Sequence, residues 1–438
     1  MYMASKRDAE QPITQQNNSK YLPWIVWSLS SIFYFYEFLL QVSPGVMSSE
    51  LMHDFSVTSE TLGILSGIYF YSYAAMQLPG GILMDHFGPR RLLTLATTIC
   101  ALSTIAFGLT DHFYMACLAR LMIGFGSSFA CVGTMKIAAN WFPASRFAFL
   151  TGILVTIGMM GAIGGEAPLA LLVDDVGWRD SMLFMGGAGL IITILMHIII
   201  KDSPIVYKKL HTNQGSVTEE PLWPSLRTLL KNRQLWLIAI YGGLIYMTTP
   251  VFCGLWGVPF LMLKLHLTKA AAANYISLVF IGWAVASPVW GIFSSRIGRR
   301  KPPLYISAIG SIITSLLFIY APLHSGLVLQ VLLFAFGVCS AAFLPAFAVA
   351  KELCNSRYVA TGLSFMNMMN MLGVALAQPL IGYILDRLWQ GTIANHIRIY
   401  PLSAYYAALS ILPIGMLVAL LILPKVRETY CTALDDIS

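Results

Sequence analysis

The chain has 438 residues, 57% of them hydrophobic and only 11% charged, with a net charge of +7 and a mean hydropathy of +0.71. A soluble domain carries about 25% charged residues. This chain has too little polar surface to face water, so a soluble globular fold is excluded and lipid must be its main solvent.

Residues 1–20 are polar, and "EQPITQQNNSK" has almost nothing to bury. They read as a disordered cytoplasmic tail. No charged n-region, short apolar core and small-residue cleavage site comes first, so the first apolar segment is expected to insert and stay. A spanning helix needs about 20 mostly apolar residues. Twelve such runs follow, at 22–44, 60–83, 91–109, 114–140, 147–172, 178–200, 234–262, 270–294, 303–320, 326–350, 358–384 and 403–424. Between the sixth and seventh lies a polar stretch with "HTNQGSVTEEPLWP". The expected architecture is an all-α membrane protein with 12 transmembrane helices in two six-helix pseudo-symmetric bundles. The bundles take 21–200 and 234–424, a cytoplasmic linker 201–233, and a cytoplasmic tail 425–438.

Basic residues orient such a chain. With the N-terminus in the cytoplasm, 20 of the 27 Lys and Arg fall on the cytoplasmic side, 5 on the outer side, and Arg120 and Lys136 within helices. The expected location is therefore a cell inner membrane, crossed many times, with both termini cytoplasmic. The basic excess serves the lipid bilayer and calls for no nucleic acid. None of the seven cysteines forms a CxxC pair, and the eight histidines lack metal-ligand spacing. No GxxxxGK[ST] loop or GxSxG elbow occurs. The expectation is no metal, no cofactor and no enzymatic activity.

"GILMDHFGPRR" from Gly81 returns as "GIFSSRIGRRK" from Gly291, so that Gly81 aligns with Gly291, Gly88 with Gly298 and Arg90 with Arg300. Thr151–Gly152 and Thr361–Gly362 repeat at the same offset of 210. Two matches at one offset, in equivalent loops, argue for duplicated halves, a transporter signature. Gly88 permits geometry that a Cβ would hinder, and Pro89 stops the preceding helix.

These residues resemble the major facilitator superfamily of secondary transporters. Its G-x-L-x-D-x-x-G-R-[RK] motif is matched by Gly81, Leu83, Asp85, Gly88, Arg90 and Arg91, with Pro89 inserted where an arginine is common; in the second copy Ser295 replaces the acid. "RLMIGFG" resembles the R-x-x-x-G-x-G of helix 4, with Arg120, Gly124 and Gly126. "GMMGAIGG" resembles the glycine-rich helix 5 of antiporters, but Ala162 stands where those have proline. Within the superfamily, "FYFYEFLLQVSPGVM" and "AANWFPASRFAFLTG" look similar to the phagosomal transporter branch of intracellular bacteria, with its amino-acid and nucleoside permeases; lysosomal dipeptide carriers are a related branch. The resemblance implies a monomer that gates by alternating access. It also implies that Asp85, Gly88, Arg90 and Arg91 latch the inner gate when the outer one is open.

Charges buried in a bundle cost about 2.5–3.5 kcal/mol each on insertion scales, so they are functional candidates by default. Three stand out: Glu37 in helix 1, Arg120 in helix 4 and Glu166 in helix 5. At about 1.5 Å rise per residue they lie at similar depth. Glu37 is the expected proton carrier, and Glu166 the expected partner of Arg120; a static Glu166–Arg120 pair is the structural alternative. Lys136 reads as snorkelling to the headgroups or as a cavity contact, and Glu352 as solvent-exposed. For the substrate, helix 2 carries Tyr69, Tyr73 and Gln77 on one face, helix 11 carries Asn367, Asn370 and Gln378, helix 7 Tyr241 and Tyr246, and helix 1 Tyr36 and Gln41. Thr248, Thr249 and Pro250 are expected to loosen helix 7.

Such a lining suits a small neutral or zwitterionic solute. The expected function is a proton-coupled importer of small polar nutrients such as amino acids or short peptides. The alternatives are a drug or metabolite exporter of the proton-antiporter type and, from another class, a non-transporting membrane receptor.

Overall fold

The computed structural model describes residues 21–202, 230–322, 326–355, 359–394 and 397–432. The expected N-terminal tail, nearly all of the linker and the end of the C-terminal tail lie outside the described residues. The first six long helices are α1 (Leu22–Val42), α2 (Ser59–Phe87), α3 (Pro89–Leu109), α4 (Phe113–Trp141), α5 (Ala144–Gly164, resuming as Ala167–Val176) and α6 (Trp178–Ile199). The second six are α7 (Arg233–Tyr246, continuing to Leu265), α8 (Lys269–Arg296), α9 (Lys301–Tyr320), α10 (Gly326–Ala341 and Pro345–Glu352), α11 (Val359–Arg387) and α12 (Leu402–Leu409 and Ile411–Ile422). Among the described residues eleven of these stretches are long and apolar enough to cross a membrane. The twelfth is α2, whose 29 residues include Glu60, Gln77 and Asp85.

The duplication is visible in the way helices cross. Tight crossings between membrane helices need a small residue, because a side chain would hold the backbones apart. A Cβ on Gly124 would land on the Tyr69 carbonyl, and one on Gly337 would land on the Val279 carbonyl. The first fixes α4 on α2 and the second fixes α10 on α8. Gly161 meets Phe35 of α1 in the same way, and Gly373 meets Gly243 of α7. The loops match too: Gly88 has φ +77° and Gly298 φ +64°, conformations that disfavour any side chain.

The halves differ where a helix breaks. The sequence reads 147–172, 234–262, 326–350 and 403–424 as unbroken. Instead α5 breaks at Gly165–Glu166, α10 at Ala342–Leu344 and α12 at Ser410, and α7 makes a π turn at Phe252–Trp256 just after Pro250. Proline has no N–H to give, so the wider turn at Pro250 follows, and Pro345 resumes α10 at a first-turn position where its missing N–H is harmless.

The start of α1 and the end of α12 lie on one face, here the terminal face; the opposite one is the far face. At the far face α2 and α11 touch backbone to backbone. A Cβ on Gly63 would come 2.6 Å from the Gln378 carbonyl oxygen, and one on Gly382 would meet Ser59. The 3-10 turn Ser43–Gly45 after α1 packs on the π turn of α7, where a Cβ on Gly45 would lie 3.1 Å from the Gly254 carbonyl oxygen.

Candidate functional site

The site forms where α1, α2 and α5 of the first half, with α4 behind them, meet α7 and α8 of the second. Helical spacing lines up Tyr34, Glu37 and Gln41 on one side of α1. Glu37 is 1% exposed, so it does not face the acyl chains. The Tyr69 hydroxyl donates to Glu37 Oε1 at 2.9 Å, and Oε2 has no protein partner. Tyr34, Tyr73 and Tyr246 also lie within electrostatic reach of this carboxylate. Tyr246 comes from the second half, so the acid sits at the seam.

Arg120 occupies the other side of Tyr69. Its guanidinium is 5.0 Å from the Tyr69 ring centroid, in the range of a cation–π contact. Nη1 donates to the Leu40 carbonyl at 2.9 Å, while Nε and Nη2 have no protein partner. The expected Arg120–Glu166 pair is absent: neither Glu166 oxygen has a partner. The break in α5 is the reason. Glu166 sits in the break with φ −99° and ψ −108°, and it lies near Cys253 of α7 instead of following the face a continuous helix would give it.

Beside Glu37 a small cavity opens between the halves. Phe38, Gln41, Val42 and Met159 form its first-half wall, and Tyr246, Thr249, Pro250, Phe280 and Trp283 its second-half wall. The Trp283 Nε1–H donates to Thr249 Oγ1 at 3.2 Å. The rings of Tyr246, Trp283 and Phe343 pack edge to face or tilted, with centroids 5.5–6.4 Å apart. Phe38, Met159, Phe280 and Trp283 are not candidates on sequence, and Thr249 is expected there only to loosen α7. Only their nearness to Pro250 and Tyr246 could have suggested them, since aromatic residues are common throughout the chain.

The other candidates divide. Gln77 and Asn367 join the halves, Asn367 Nδ2 donating to Gln77 Oε1 at 2.8 Å. Gln378 is fully buried at the α2–α11 contact, and the Trp256 indole donates to its carbonyl at 3.2 Å. Asn370 is fully buried at the crossing of α7 and α11, where a Cβ on Gly242 would stand 3.0 Å from Asn370 Oδ1. Tyr36 and Tyr241 turn away from the cavity, correcting the expectation. Tyr36 points its hydroxyl at Gly189 of α6, and Tyr241 donates to the Leu304 carbonyl of α9 at 2.7 Å. Tyr241 thus fastens α7 to α9, while Tyr36 packs against α6, both within their own half.

At the terminal face, charges pair inside each half. Asp85 receives Lys136 Nζ at 2.6 Å, so Lys136 reaches an acid and not the headgroups. The Arg90 backbone N–H donates to Asp202 Oδ1 at 2.9 Å, and its Nη2 donates to the His197 carbonyl; Arg91 is exposed. In the second half the Arg300 and Lys301 backbone N–H groups donate to Glu428 at 2.8 and 3.0 Å. Asp202 and Glu428 therefore do one job twice: an acid just past the last helix of each half caps the third helix of that half. Sequence reading missed both, because they lie beyond the hydrophobic runs. Glu352, expected in solvent, is 8% exposed and paired with Arg300 at 2.6 Å.

At the far face, charges also pair across the halves. Lys269 at the start of α8 bonds Asp174 of α5 at 2.8 Å, and also Glu50. Asp386 of α11 accepts the Glu60 backbone N–H at 2.8 Å and the Tyr400 hydroxyl at 2.5 Å. A carboxylate of one half thus caps α2 of the other, the preferred sign of charge at a helix N-terminus.

The arrangement has counterparts. The chain is 23% identical to a probable sulfoacetate transporter of Cupriavidus necator over 65% of its own length and 67% of that protein's. It is 22% identical to the lysosomal dipeptide transporter of Danio rerio over 78% of its length and 76% of that protein's. In three dimensions it matches a bacterial homolog of the human lysosomal transporter Spinster with a TM-score of 0.73, covering 93% of this chain and 96% of that one, at 16% identity. A profile of the Major Facilitator Superfamily matches residues 27–262 and 245–430. The chain belongs to the Major Facilitator Superfamily: it is a multi-pass membrane transporter of that fold.

Proposed function

We propose that the protein imports small zwitterionic solutes, amino acids or short peptides, together with protons. It does so as a monomer in a cell inner membrane, with the terminal face toward the cytoplasm. The observation that carries this reading is Glu37: a buried carboxylate at the seam, with one oxygen held by Tyr69 and the other without a partner. An acid in that position binds a proton or an ammonium group when the cavity closes over it, because an unpaired ionised carboxylate is costly in apolar surroundings. Arg120 lies behind Tyr69 and keeps positive charge nearby without neutralising Glu37 through an ion pair.

The lining favours an amine-bearing solute over a sulfonate or sugar acid. A strongly anionic substrate would want exposed cations in its site. The cavity walls supply aromatic faces, the Gln41 amide and the Tyr246 and Thr249 hydroxyls, and no Lys or Arg. Gln77 and Asn367, already bonded across the seam, are the polar groups that part as the halves rock. Tyr73, Gln41 and Tyr246 are proposed substrate contacts, while Asn370 and Gln378 serve the α7–α11 and α2–α11 contacts. The contacts that join the halves at the far face support a state in which the terminal gate is the one that opens. In the opposite state Asp85, Arg90 and Arg91, hinged at Gly88, latch that gate.

The test uses purified protein in proteoliposomes. A ligand that binds only the folded form raises apparent stability, by about 2.7 kcal/mol at a hundred times its Kd. Amino acids and dipeptides are expected to raise the melting temperature and to accumulate when the lumen is more alkaline than the bath. Accumulation under the opposite gradient only would mean exchange against protons, as in an exporter, and would contradict the proposal.

A further inference from the structure

Glu166 is a buried acid that the cavity does not use. It occupies the break in α5, fully buried, with neither oxygen partnered. The break lies in the far-face seam. A Cβ on the adjacent Gly165 would come 2.5 Å from Val42 Cγ2 at the end of α1. The turn that follows, Ser43–Gly45, is seated on the π turn of α7, where Cys253 lies within electrostatic reach of Glu166. This acid is therefore covered by both halves when they meet.

The titratable and charged groups around it are few. From α7 it faces Cys253, and α1 offers the apolar Leu39 and Val42 beside the break. On α8 the charge is Lys269, occupied by Glu50 and Asp174. At the start of α6 Arg179 is occupied by Asp54 and Asp111. On α4 Arg120 is held by Leu40 and Tyr69; its Nε and Nη2 have no protein partner, and it makes no ion pair with Glu166. Among the described residues no cation pairs with either Glu166 oxygen.

We infer that Glu166 is a proton-binding site of the far-face seam, occupied when the seam is shut and vacated when it opens. The proton comes from water on the far face, binds one carboxylate oxygen, and returns to the same water on opening. No net charge crosses the membrane by this route, so the site regulates the gate and is separate from coupling at Glu37. It rests on the proposed rocking of the halves. One proton bound per closure makes the closed-to-open ratio change by up to about tenfold per pH unit. Acid on the far face then favours closure, and alkali favours opening.

The test is a distance across the far face, read by pulsed electron paramagnetic resonance between spin labels at Tyr114→Cys and Gln390→Cys in an otherwise cysteine-free protein. The short distance is expected to dominate at low pH and a longer one to grow as pH rises. Glu166→Gln is expected to hold the short distance at every pH. Glu166→Asp, which keeps an acid, should restore the pH dependence, and Glu50→Gln should leave its slope intact. A wild-type distance that ignores pH overturns the inference, as does a Glu166→Gln protein that titrates like wild type. The two readings fail separately. A protein whose uptake ignores proton gradients, but whose distance still titrates through Glu166, loses the coupling and keeps the switch. Gradient-driven uptake with a distance indifferent to Glu166 does the reverse.

Discussion

The two halves share a backbone plan and divide the chemistry. The first half carries Glu37, Arg120 and Glu166, each at most 2% exposed. The second half presents Tyr246, Phe280 and Trp283 to the same cavity, and its buried acid, Glu352, sits at the terminal face in an ion pair. Duplicated glycines at Gly124 and Gly337 set the same crossings in both. A repeated scaffold can therefore keep its packing residues while only one copy keeps buried charge without an ion partner. The lesson is that symmetry here governs where backbones meet, and asymmetry governs where unpaired buried charge and the aromatic wall lie.

The largest expected effect tests the shared part. Gly124→Leu and Gly337→Leu each drive a side chain into a backbone carbonyl, and overpacking of that kind costs about 1–3 kcal/mol or more. Both variants should lose most folded protein by size-exclusion profile, to a similar degree. A tolerant Gly337→Leu beside an intolerant Gly124→Leu would break the equivalence.

Next comes the second-half wall. Trp283→Ala removes one ring of the packed trio and the hydrogen bond to Thr249, and aromatic pairs contribute about 0.5–1.5 kcal/mol beyond their buried area. The expected result is a rise in KM of about 3- to 10-fold with the proton dependence of uptake unchanged. A changed proton dependence would place coupling in both halves.

Smaller still is the clamp at the far face. Lys269→Gln removes two partly exposed ion pairs, worth about 0–1 kcal/mol each. It should shift the far-face distance distribution toward the open form by a few-fold, and high salt should mimic that shift in the wild type. The smallest effect is expected of Tyr36→Phe, whose hydroxyl points at α6: transport kinetics should be indistinguishable from wild type. A raised KM there would return Tyr36 to the cavity.

Much of this plan is written in the residues. Runs of about 20 apolar residues have one way to satisfy their backbone in lipid, so the helices were legible, and the 210-residue offset at Gly88 and Gly298 gave the duplication. The breaks in α5 and α10 were not, because hydropathy is blind to a turn made of apolar residues such as Ala342–Leu344. That blindness explains Glu166. Its position counted along an ideal helix put it near Arg120, and the break turned it toward α7. Glu37 was legible because a charge among apolar residues stands out. Tyr36 and Tyr241 were misplaced for the opposite reason: a tyrosine on a membrane helix can face any neighbour, and spacing alone does not say which. Asp202 and Glu428 were invisible because capping depends on where the chain returns in space.

The central claim is that Glu37 carries the coupled proton. It is tested most directly by comparing Glu37→Gln with wild type in proteoliposomes, measuring both gradient-driven accumulation and substrate counterflow without a gradient. The account predicts that Glu37→Gln keeps counterflow and loses accumulation. Accumulation at the wild-type level under the same gradient would contradict it.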